Sequence, residues 1–75
     1  MKITNNVRMQ IGDVIQWKEG KLVKIIYDKF NEEYPYRLLD IQTDEIVDGY
    51  NTLFELQEDY PIIISKSENI EIILN

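Results

Sequence analysis

Residues 11–27 read Ile11-Gly12-Asp13-Val14-Ile15-Gln16-Trp17-Lys18-Glu19-Gly20-Lys21-Leu22-Val23-Lys24-Ile25-Ile26-Tyr27, and this stretch decides the fold. Val14 to Trp17 is a run of strand-forming side chains. Leu22 to Tyr27 places Val23, Ile25 and Tyr27 on one face and Leu22, Lys24 and Ile26 on the other, the period of two that a pleated strand requires. Between them, Lys18-Glu19-Gly20-Lys21 predicts a tight hairpin turn, with Gly20 able to take the positive φ such a turn needs. Two antiparallel strands joined by a short turn are therefore the first structural expectation.

The rest of the chain repeats this grammar. None of the 75 residues is alanine, the best helix former, and the apolar positions go largely to Ile, Val, Tyr, Phe and Trp. Gly12, Gly20, Gly49, Pro35 and Pro61 cut the chain into strand-length segments. Val7, Met9 and Ile11 alternate with Arg8 and Gln10, predicting a short strand or extended arm with one buried face. Asp28 to Pro35 is polar and predicts a loop. Arg37 to Thr43 sets Leu39 and Ile41 against Asp40 and Gln42, a strand with a solvated face. Thr43-Asp44-Glu45 suits a turn, followed by a short strand at Ile46-Val47 and a break at Asp48-Gly49. Thr52-Leu53-Phe54-Glu55 has the capping-box pattern and predicts a helical turn to Gln57. Ile62 to Ser65 and Ile70 to Leu74 read as the closing strands. Trp17 and Phe54 are the first candidates to fill the core.

The 11–27 segment resembles the opening hairpin of KOW- and Tudor-type SH3-like barrels. Ile11-Gly12-Asp13-Val14-Ile15, Gly20 in the turn and Leu22-Val23-Lys24-Ile25 carry the resemblance, over 17 of the 75 residues, without a second hairpin glycine. It implies a five-stranded barrel with a helical turn before the last strand, and Ile70 to Leu74 would then be an appendage. The expectation is a single all-β domain over residues 1–75: a small SH3-like barrel of five to six antiparallel strands with one short helical turn near residues 52–57. Barrels of this kind close a sheet to remove its edges.

Composition restricts the chemistry. With no cysteine and no histidine, disulfides, thiol nucleophiles, Ser-His-Asp triads and the usual zinc sites are excluded. The adjacent acidic pairs Glu32-Glu33, Asp44-Glu45 and Glu58-Asp59 either sit in turns or project to opposite faces, a poor geometry for a catalytic dyad. Asp40, Asp44, Asp48 and Gly49 lack calcium-loop spacing. A non-enzymatic protein with no cofactor and no metal is expected. Met1 to Asn6 contains no apolar core of seven residues and no apolar run is longer than the three residues of Ile62-Ile63-Ile64, so a cytoplasmic protein without membrane partners is expected. The abundance of Ile, Asn, Lys and Glu suits a low-GC bacterium or its phage.

Charge is segregated. Residues 1–29 carry six basic against three acidic side chains, net +3, and residues 30–75 carry two basic against eleven acidic, net −9, for −6 overall. Three partners follow from this pattern. The leading expectation is another protein, bound in an aromatic groove by Tyr27, Phe30, Glu32, Glu33, Tyr34 and Tyr36, because SH3-like barrels receive extended peptides in such grooves. The alternative is nucleic acid held by the basic hairpin, with Trp17, Lys18, Lys21 and Lys24 combining charge and stacking surface. The third is an inhibitor whose acidic surface mimics DNA. Aliphatic surplus in residues 62–74 adds the expectation of a homodimer.

Overall fold

The structure, a computed structural model, describes residues 8–67. Five strands and one helix follow in order: β1 (Val14–Gln16), β2 (Leu22–Tyr27), β3 (Tyr36–Asp40), β4 (Ile46–Tyr50), α1 (Leu53–Asp59) and β5 (Ile63–Ser65). They form one antiparallel sheet ordered β4-β3-β2-β1-β5. The first four strands are consecutive hairpins, and the chain then passes through α1 to lay β5 against the free side of β1. Five strands with a helix before the last is the arrangement the resemblance implied. Among the described residues β4 and β5 are the two sheet edges, and no ladder joins them.

The β1–β2 hairpin is as read from its sequence, with Gln16 opposite Leu22 and Val14 opposite Lys24. Trp17 N–H donates to Lys21 O at 2.7 Å, and the turn takes positive φ at two residues, Glu19 (58°) and Gly20 (79°). Period-two alternation buries Val23 and Ile25 completely, while Tyr27, on the same face but at the strand end, is half exposed. Ile15, Val23, Ile25 and Leu38 from the sheet meet Met9 and Leu56 to form the core, with Trp17, Val47, Tyr50, Leu53, Tyr60 and Ile63 packed around it.

Several elements differ from the sequence reading. Met9 is buried as expected, but residues 8–13 form no strand and Ile11 is exposed. The cause is Asp13, whose carboxylate accepts from Gln10 N–H at 2.8 Å and bends the chain into a turn at Ile11-Gly12. β3 stops at Asp40, and its phase is the reverse of the expected one: Leu38 and Asp40 face inward while Ile41 is exposed. A buried carboxylate is tolerable there because Asp40 Oδ1 accepts from the amides of Gln42 (2.8 Å) and Thr43 (3.4 Å), organising the turn into β4. β4 runs straight through Asp48-Gly49 instead of breaking. Thr52 caps α1 as predicted, its Oγ1 accepting from Glu55 N–H at 3.1 Å, and the helix extends to Asp59. Phe54, expected in the core, is 71% exposed and Leu56 takes that place. Two residues are about 200° of helical rotation, so only one of the pair can face the sheet.

The ends of the described chain are fastened to each other by Asp13. It is fully buried, its Oδ2 accepting from Lys66 Nζ at 2.8 Å and its Oδ1 from Ser67 N–H at 2.9 Å. Burial alone would raise its pKa. The Lys66 ammonium and the amides of Ser67 and Gln10 outweigh that and hold the carboxyl below its ordinary range. Lys66 Nζ also donates to Arg8 O, and Ser67 Oγ to Ile11 O. Gly12 (φ 99°) is required here on two grounds, since a Cβ would also fall 2.8 Å from Ser67 Cβ.

Candidate functional site

The eight residues between β2 and β3 fold on themselves. Asp28 N–H donates to Pro35 O at 2.7 Å, Asp28 Oδ1 accepts from Phe30 N–H at 3.0 Å, and Asp28 O accepts from Asn31 N–H at 3.1 Å. Asn31 Oδ1 in turn accepts from Tyr34 N–H at 3.0 Å. Asp28 and Asn31 thus satisfy the loop backbone locally, as short amide and carboxylate side chains do in turns. The loop is also tied to the start of α1, because Asn51 Nδ2 donates to Glu33 O at 3.1 Å.

This scaffold turns aromatic surface outward. Phe30 is 85% exposed, and Tyr27 and Tyr34 are each about half exposed. Tyr27 and Tyr36 pair directly across the strands, their rings edge to face at 5.2 Å. Lys29 Nζ lies 5.4 Å from the Phe30 ring centre. Glu32 and Glu33 are exposed on the loop. The structure therefore gathers the six expected residues at one end of the β2–β3 hairpin: Tyr27 and Tyr36 in contact, Phe30 and Tyr34 displayed, and the two glutamates beside them.

Two residues of this end were absent from the sequence reading. Tyr50 stands opposite Tyr36 on β4, so Tyr27, Tyr36 and Tyr50 form a row across three strands. Its hydroxyl donates to Asp59 Oδ2 at 2.8 Å, and burial followed by the Asp59 hydrogen bond pushes its pKa well above the ordinary tyrosine value. Asn51 is the second. Extending β4 through Gly49 would have placed Tyr50 in the row, whereas no local pattern marks Asn51.

The basic hairpin is built differently. Lys18, Lys21 and Lys24 are exposed, the first two at the turn and Lys24 on the outer face of β2. Trp17 packs on the core and against Tyr60, ring centres 6.3 Å apart, and Lys18 Nζ stands 5.1 Å over its ring. Its indole N–H is buried without an acceptor. At the β5 edge of the sheet, Ile64 on the strand and Ile62 just before it are half exposed, and residues 70–74 lie outside the described residues. Among the described residues no helix is long and apolar enough to cross a membrane. Comparison of the chain with protein-family models, with curated proteins and with solved structures finds no match.

Proposed function

We propose that this is a small acidic, non-enzymatic accessory protein, of bacterial or phage type, that binds another protein through the β2–β3 loop. The observation that carries the reading is Phe30, 85% exposed on a loop whose backbone is held by its own hydrogen bonds. A large apolar side chain displayed on a fixed scaffold loses little conformational freedom on binding, which is the property of an interface anchor. Tyr27 and Tyr34 widen the apolar area, and Glu32 and Glu33 give it an acidic rim suited to a partner with basic groups around an apolar pocket.

The basic hairpin supports a nucleic-acid partner less well. Its single tryptophan is engaged with Tyr60 and the core, so the lysines stand without a free aromatic platform, on a chain of net charge −6. The test is comparative capture from a lysate with three immobilised proteins: the parent, Phe30→Ala/Tyr34→Ala, and Lys21→Glu/Lys24→Glu. A partner retained by the parent and the lysine variant but at least tenfold depleted on the aromatic variant is the expected result. Retention by the aromatic variant together with loss on the lysine variant would transfer the site to the hairpin.

A further inference from the structure

Arg37 is the only basic side chain between residues 30 and 65, a span that holds nine carboxylates. Yet among the described residues the one ion pair is Lys66 with Asp13, and the Arg37 side chain has no carboxylate partner, its Nε making no hydrogen bond. It stands on the outer face of β3 opposite Gly49 of β4. The absence of a side chain at Gly49 lets its neighbours close in: a Cβ there would fall 3.1 Å from Tyr34 Cβ and 3.4 Å from both Cδ and Nε of Arg37. The end of the Arg37 stem is thereby pressed against the sheet, with Nε buried and without an acceptor. Arg37 lines a groove of about 470 Å³ together with Tyr34, Ile46, Val47, Asp48 and Gly49.

We infer that this groove is a receptor for a single carboxylate on a binding partner, with Arg37 as the donor. A guanidinium whose stem is already immobilised loses less rotamer entropy on binding than a free surface arginine, and its planar fork matches a carboxylate. Among its described residues the protein supplies this guanidinium with no carboxylate although the segment around it is rich in them, so an external carboxylate is free to take that place. Asp48 lines the same groove, one of its oxygens accepting from Gly49 N–H at 2.8 Å. A carboxylate's single charge is matched by the one guanidinium, whereas the second charge of a phosphate dianion would stand unneutralised beside Asp48 on a chain of net charge −6. The inference goes beyond the aromatic-loop reading and shares with it only Tyr34 as a wall.

The experiment uses the side-chain Nε–H resonances of the intact protein, which number two because Arg8 and Arg37 are the only arginines. Sodium acetate, acetyl-Gly-Gly-Glu-Gly-Gly-amide, its Gln counterpart and acetyl-pentaglycine with a free carboxylate are titrated at constant ionic strength, with inorganic phosphate as the competing anion. A saturable shift of the Arg37 signal with acetate, absent at Arg8, is expected. It should recur with the Glu peptide if side chains are the source, or with the free-acid peptide if chain ends are, and not with the Gln peptide. Asp48→Asn should tighten acetate by roughly two- to fivefold, because it removes one like charge from the groove lining. Parallel, unsaturated shifts of both arginines, tighter binding of phosphate than of acetate, or an unchanged affinity in Asp48→Asn would each overturn the assignment. Arg37→Lys removes one of the two signals and so fixes which resonance belongs to Arg37. The readout on the parent protein stands whether or not that variant folds.

Discussion

The connections at the two ends of β2 both carry aromatic residues and treat them in opposite ways. At its start, the Trp17–Lys21 turn is short, and its backbone is committed to the ladder through Trp17 N–H and Lys21 O. Trp17 cannot leave the sheet and folds onto Tyr60 and the core. At its end, eight residues separate β2 from β3, enough for Asp28 and Asn31 to satisfy the loop without using the core. The aromatics there are free to face out. Loop length and the placement of short polar acceptors thus decide whether an aromatic stabilises the fold or is displayed, a distinction invisible in aromatic content alone.

The largest expected effect removes both ends together. Asp13→Ala leaves Lys66 and the amides of Gln10 and Ser67 without their acceptor, and because the carboxylate is fully buried while Lys66 is partly exposed, the loss falls toward the lower end of the roughly 3–5 kcal/mol for breaking a buried pair. In a domain this small that is a large share of its total stability. Thermal denaturation should show severe destabilisation or no cooperative transition. Acid tests the same contact. The Asp13 carboxyl titrates lower in the folded chain than in the unfolded one, so its contribution is intact above the unfolded value of about 3.9 and disappears as pH falls through the lower folded value. Urea titrations between pH 6 and 2 should show this loss, and Asp13→Asn, already destabilised at neutral pH, should lose less over the same interval.

The contrast between the ends is sharpest in a pair of single substitutions. Trp17→Ala should cost about 3 kcal/mol, the low end of the range for truncating a large aromatic, because Trp17 is only partly buried. Trp17→Phe should cost far less, since it keeps most of the packing and deletes an indole N–H that has no acceptor. Phe30→Ala should stay within about 0.5 kcal/mol of the parent, as surface substitutions do. Equal losses at Trp17 and Phe30 would erase the distinction drawn between a packed and a presented aromatic.

How far the sequence exposes this division depends on the range of the forces involved. The β1–β2 hairpin is legible because its signals, period-two alternation and a turn glycine, are local. The same holds for the Thr52 cap. Asp40 and Phe54 mislead because polarity is a poor guide to burial once a carboxylate can be satisfied by turn amides, and because a helix as short as α1 can bury only one stripe. The Asp13–Lys66 pair and the Asn51–Glu33 contact span 53 and 18 residues, and no local pattern marks them. The aromatic loop was recognisable by composition, yet the shape that turns its rings outward rests on Asp28 and Asn31, whose side chains look like ordinary loop polarity until their hydrogen bonds are seen.

The smallest effect probes the tighter end alone. Glu19 and Gly20 both occupy the left-handed region, at φ 58° and 79°, but only one of them is glycine. A side chain there is strained by roughly 1–2 kcal/mol, while the extra freedom glycine confers on the unfolded chain costs about 0.5–1 kcal/mol. Glu19→Gly should therefore stabilise by about 0.5 kcal/mol. Gly20→Ala should destabilise by about 0.5 kcal/mol from the same two terms, because an added Cβ would meet nothing within 4 Å. Chemical denaturation resolves changes of opposite sign on this scale when both variants share one slope. Neither substitution touches the Asp28–Pro35 loop, so partner capture should be unchanged in both, and a change in capture would mean that the two ends of β2 are coupled through the strand.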